Sequence, residues 1–64
     1  MTLDEYKKVV QLGMRVYVMI QGVKKMGTAA KFIDETEPIV RFDNGEIARV
    51  TEKSAPYFNL ERPN

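Results

Sequence analysis

Two adjacent lysines, Lys24 and Lys25, stand in a short run bounded by Gly22 and Gly27. Ammonium groups on a projecting loop can neutralise phosphates, and Tyr17 or Tyr57 would offer an aromatic face on which a base could stack. Lys31 and Arg15 extend the same chemistry. Residues 6–33 hold Lys7, Lys8, Arg15, Lys24, Lys25 and Lys31 with no acid, whereas residues 34–46 hold Asp34, Glu35, Glu37, Asp43 and Glu46 against Arg41 alone. The structural alternative is that loop lysines serve solubility and that neighbouring strands interleave the two charge blocks. Lys24, Lys25, Lys31, Arg15, Tyr17 and Tyr57 are the candidate binding residues.

Other constellations carry less chemistry. Asp34, Glu35 and Glu37 could face a hard cation, but their spacing matches no calcium loop, and a solvated turn accounts for them. The aromatics Tyr6, Tyr17, Phe32, Phe42, Tyr57 and Phe58 would make a cage for a methylated cation only if several converged at one rim. Met14, Met19 and Met26 suit gap-filling in a core. The chain has neither histidine nor cysteine. That removes the usual ligands of zinc, haem and iron–sulfur centres, and it removes thiolate, imidazole and Ser-His-Asp catalysis. No catalytic residue, metal or cofactor is expected.

Positioning any of these residues falls to one small domain spanning residues 1–64. A 64-residue chain buries only about 60% of its unfolded surface. Its 44% apolar content suffices for one core, and its net charge is +1. No apolar run approaches the roughly 18 residues of a membrane span. The first residues, MTLDEYKK, carry acids where a secretory signal carries bases, so a cytoplasmic location is expected.

Along the chain, Thr2 and Glu5 form a capping box, with Asp4 and Glu5 at the start and Lys7 and Lys8 at the end of a helix predicted over residues 3–11. Leu3, Tyr6, Val9 and Val10 share its apolar face, and Gly13 stops it. Residues 1–12 thus form a helical segment. From residue 14 the period becomes two, predicting a first strand to Ile20. Residues 21–27 read as a loop and residues 28–34 as a second strand. Residues 39–42 and 46–50 flank the hairpin signal Asp43-Asn44-Gly45. A two-residue Asn44-Gly45 turn would pair Phe42 with Ile47 and Val40 with Arg49. A three-residue turn with a bulge at Gly45 would pair Val40 with Ala48 and Arg41 with Ile47, and is slightly preferred. A polar connection over residues 51–56 precedes a short last strand over residues 57–60.

Five short strands joined by tight turns imply a mainly β chain, with a small barrel over residues 13–62. Gly13-Met14-Arg15-Val16-Tyr17-Val18, then Gly27-Thr28-Ala29, then Ile39-Val40-Arg41-Phe42-Asp43-Asn44-Gly45-Glu46 resembles the SH3-like barrels of the KOW and Tudor type. These share a Gly-x-x-Val-x-Val strand, a Gly-Thr-Val entry to the second strand and a Val-x-Phe-x-x-Gly hairpin. The resemblance implies a five-stranded SH3-like barrel with a short N-terminal helix. Type II plasmid-borne dihydrofolate reductases have this architecture and a Leu-Glu-Arg-like end, similar to Leu60-Glu61-Arg62. Their Val-Gln-Ile-Tyr strand would fall near residues 46–50, which here read Glu46-Ile47-Ala48-Arg49-Val50, so the resemblance does not carry that activity.

The expected function is a non-catalytic binding module. One form is a nucleic-acid-associated accessory protein with a basic face. The alternatives are a protein-interaction module, such as a regulator or inhibitor of a larger enzyme, and, least favoured, a subunit of an oligomeric enzyme. A weak homodimer is expected through Leu3, Tyr6 and Val10 or through an exposed edge strand.

Overall fold

A computed structural model describes residues 1–61. The chain is mainly β: five antiparallel strands in one sheet and one short N-terminal helix, the class implied by the change of period at Gly13. In order these are α1 (Leu3–Val9), β1 (Arg15–Ile20), β2 (Val23–Lys31), β3 (Pro38–Phe42), β4 (Ile47–Arg49), a 3-10 turn (Ala55–Tyr57) and β5 (Asn59–Leu60). The strands lie in the order β4-β3-β2-β1-β5. Among the described residues no helix is long and apolar enough to cross a membrane. Arg62, the last residue of the expected barrel segment, lies outside the described residues.

The capping box forms as its residues dictate. The Thr2 hydroxyl accepts the Glu5 N–H and the Glu5 carboxylate accepts the Thr2 N–H, each at 3.1 Å. The helix ends at Val9, two residues short of the expected Gln11. Val10 is already extended, and the sheet takes the chain from there. The Gly13 N–H donates to the Ala29 carbonyl and the Ala29 N–H to the Met14 carbonyl, both at 2.8 Å. Gly13, at φ 90°, supplies the left-handed step that joins the two elements.

β2 corrects the predicted organisation. Residues 23–27 are strand rather than loop, and residues 32–34 lie beyond the strand's end. The cause is Gln21-Gly22, which takes positive φ at both positions, 50° and 77°. Such a two-residue turn matches the twist of the flanking strands and pairs Ile20 directly with Val23. Gln is an uncommon residue there, so the hairpin signal is faint in the sequence. Gly27 accordingly is no loop boundary. It pairs with Val16 on one side and Phe42 on the other, and a Cβ on it would stand 2.5 Å from Val40 Cγ1 and 3.0 Å from the Arg41 carbonyl oxygen. A glycine within a strand marks such a close approach.

The β3–β4 hairpin takes the preferred register. Val40 pairs with Ala48 and Arg41 with Ile47, across a three-residue connection with Gly45 at φ 93°. The polar connection after Val50 is tied by Ser54, whose hydroxyl donates to the Arg49 carbonyl at 2.9 Å and accepts the Thr51 N–H at 2.8 Å. It then forms the 3-10 turn, and β5 pairs Leu60 with Val16 and Asn59 with Tyr17.

One core sits against the inner face of the sheet: Tyr6, Val16, Val18, Val40, Phe42, Val50, Ala55 and Phe58. Phe58 is its hub. It meets the Tyr6 ring edge-on at 6.1 Å and stacks with Phe42 at 6.4 Å. Tyr6 is 2% exposed and its hydroxyl has no hydrogen-bond partner. Burial pushes that phenol up to about 12. Leu3 and Val10, the other residues of the helix face expected to hold a second copy, are partly buried against the same core, while Val9 is exposed.

Candidate functional site

Lys24 and Lys25 are consecutive residues of a strand, so their side chains leave opposite faces of the sheet. Lys24 lies on the outer face. Its Nζ stands 4.4 Å from the Tyr17 ring centroid and 2.8 Å from a Glu61 carboxylate oxygen. Lys25 lies on the inner face, opposite the buried Val18. Its Nζ stands 4.3 Å from the Phe42 ring centroid and 2.9 Å from Glu46 Oε1. Arg15 grips Asp43 with both terminal nitrogens, at 2.8 and 2.6 Å, and also donates to Thr28 at 2.9 Å. Lys31 ends β2, six residues from Lys25 and so about 20 Å along the strand. Of the four candidate bases, Lys31 has no carboxylate partner among the described residues.

The acids respond to these partners. The Arg15 guanidinium holds Asp43 below the ordinary carboxylate value, the Lys25 ammonium and then the Asn44 amide do the same to Glu46, and Arg49 does so to Glu35. In the acidic turn after β2, Glu35 and Glu37 are thus held. Arg49 bonds Glu35 at 2.6 Å and Glu37 at 3.1 Å, with its guanidinium 5.7 Å from the Phe32 ring centroid. Among the described residues no three metal-ligating side chains are grouped to hold an ion. Two bases of the first charge block meet acids of the second, Arg15 with Asp43 and Lys25 with Glu46. The aromatics do not converge either: Tyr6, Phe42 and Phe58 share the core, Tyr17 and Phe32 each carry a cation, and Tyr57 is exposed on the 3-10 turn.

What the fold does assemble is a groove. β2 pairs with β3 only from Gly27 onward, and β1 with β5 only at Val16 and Tyr17. The rest of the β1–β2 hairpin projects beyond the sheet with no strand on either side. On its inner face it carries Val18, Ile20, Val23 and Lys25. Val18 and Ile20 line a groove of about 320 Å³ together with Phe42, Ala48, Phe58, Ser54 and Tyr57. Ile20 and Tyr57 remain 49% and 69% exposed. Lys25, with its side chain 26% exposed, is the one charged residue in the lining. Tyr57 and Lys25 are therefore brought into one site, and Tyr17 and Lys24 into another, a wider depression beside β5. Sequence reasoning missed Ile20, Ala48 and Ser54 as site residues. The available signal was Gln21-Gly22, which, read as a turn, puts Val18 and Ile20 on one projecting face.

No protein-family model matches the chain, and no curated protein or solved structure does.

Proposed function

We propose that this chain is a non-catalytic protein-interaction module that docks an apolar segment of a partner in the groove between the β1–β2 hairpin and the 3-10 turn. The carrying observation is that the groove leaves Ile20 and Tyr57 uncovered beside buried apolar residues, while three of the four candidate bases, Arg15, Lys24 and Lys25, are paired with acids. Concave apolar surfaces with one or two placed polar groups are where proteins take ligands. Lys25 and Ser54 are those polar groups here. A basic face for nucleic acid is the less supported reading, because Arg15, Lys24 and Lys25 are ion-paired and Lys24 and Lys25 leave opposite faces. Kinship with the KOW and Tudor-type barrels belongs to the same proposal and rests on the strand and hairpin motifs.

The test has two arms. Selection from a displayed peptide library should return binders whose affinity falls at least tenfold with Tyr57→Ser, while titration with single- and double-stranded DNA and RNA at low salt should show no binding. A log–log salt slope near −3 on duplex DNA, reduced by roughly two units in the Lys24→Ala, Lys25→Ala double variant, is what the basic-face reading requires and would overturn this one.

A further inference from the structure

The groove described above has a matching plug on the same chain. Ile33, two residues beyond the end of β2, is 97% exposed. A single exposed apolar side chain needs no explanation by itself. Three further observations give this one a meaning. First, the residue after it, Asp34, has no basic partner among the described residues, whereas Glu35 and Glu37 are held by Arg49. The turn therefore presents an isoleucine with a carboxylate still to be matched. Second, the groove offers the complement: apolar walls and one ammonium, that of Lys25. Its present partner, Glu46, is mostly exposed, and an exchange of one exposed carboxylate for another costs little. Third, the groove volume of about 320 Å³ lies at the bottom of the range for ligand sites, about 300–1,000 Å³, which suits a loop tip rather than a helix or a flat domain face.

The plug cannot enter its own groove. Lys25 lines the groove and Lys31 precedes the plug, so the two ends of β2 hold them about 20 Å apart. The geometry points to a second copy of this chain as the occupant: Ile33 of one molecule seats between Ile20 and Tyr57 of the next, and Asp34 reaches Lys25. The inference rests on the groove being a docking site, as proposed above. Because plug and groove are different surfaces, the contact is heterologous, and each dimer retains one free plug and one free groove. Association therefore continues into longer head-to-tail species as concentration rises. Self-association also competes with any other partner for the groove, so partner binding strengthens on dilution.

Sedimentation equilibrium of the whole chain from micromolar to millimolar concentration tests this. Weight-average mass should climb past that of a dimer without a plateau. Ile33→Asp and Tyr57→Asp change exposed side chains, so each variant should keep the parent's melting transition while losing self-association at least tenfold. An equimolar mixture of the two should form a one-to-one dimer and nothing larger, because it contains one working plug and one working groove. A monomer at every concentration overturns the inference, as does a dimer that survives Ile33→Asp. If self-association is absent while selected peptides still lose affinity with Tyr57→Ser, the docking groove stands and this occupant falls. If both are absent, both fall.

Discussion

Tyr6 concentrates the conflict between packing and polarity in this chain. Its ring is needed at the junction of helix and sheet, where it meets Phe58, yet its hydroxyl is buried with no partner. An unmade buried hydrogen bond costs about 1–3 kcal/mol, and removing the group avoids that cost. Tyr6→Phe should therefore leave stability unchanged or raise it by about 1 kcal/mol, read from denaturant midpoints at neutral pH. The same residue sets an alkaline limit. Its folded pKa, about 12, lies above its ordinary 10.0, so between those values the unfolded chain loses a proton that the folded chain keeps. Tyr6 stabilises the fold fully below 10 and loses that contribution as pH rises towards 12. Denaturation at about pH 11 should thus separate Tyr6→Phe from the parent further than at about pH 7. The sequence shows Tyr6 as a core residue through its spacing with Leu3, Val9 and Val10. It cannot show the missing partner, because that depends on what surrounds the hydroxyl once Phe58 packs on the ring from the far end of the chain.

At the scale of elements, the β1–β2 hairpin decides the site, and it is where sequence and structure part. The helix, the first strand and the Asp43-Asn44-Gly45 hairpin are readable because each carries its own local chemistry: a capping box, a period of two, a glycine that takes positive φ. Lys24 and Lys25 break the apolar pattern of β2 and make a strand look like a loop. Their charges are accommodated because each ammonium lies over an aromatic ring and beside a carboxylate contributed by a distant strand or turn. Such partners, like the Arg49 pairs, are fixed by tertiary register and have no signature in spacing. Gln21 is the strained point of this hairpin. Gln21→Asn should stabilise the fold by about 0.5 kcal/mol, since Asn enters the left-handed region more readily; thermal melts of parent and variant measure it. The carboxylates respond at the acid end. Asp43, Glu46 and Glu35 are held below their ordinary values of 3.8 and 4.5, so the unfolded chain binds more protons than the folded one as pH falls through that range. Their stabilisation is complete above the ordinary values and disappears as pH drops through the depressed ones. The melting temperature should fall as pH drops below the ordinary values of 3.8 and 4.5, and less so in Arg15→Ala, where the Asp43 shift is gone.

For the whole molecule, the radius of gyration of 10.9 Å matches the roughly 11 Å of a compact chain of this length. Of the exposed apolar side chains, Ile20 and Tyr57 lie at the hairpin groove and Ile33 in the turn after β2, while others, such as Leu12 and Ile47, lie elsewhere. The central claim is that the groove, and not a basic face, is the binding surface. Backbone amide NMR of the labelled chain, titrated in turn with a library-selected peptide and with a short DNA duplex at low salt, addresses it most directly. The account predicts peptide-induced shifts confined to Val18, Ile20, Lys25, Ala48, Ser54 and Tyr57, and an unchanged spectrum with DNA. Shifts induced by DNA at Arg15, Lys24 and Lys31, with the groove residues silent towards every peptide, would contradict it.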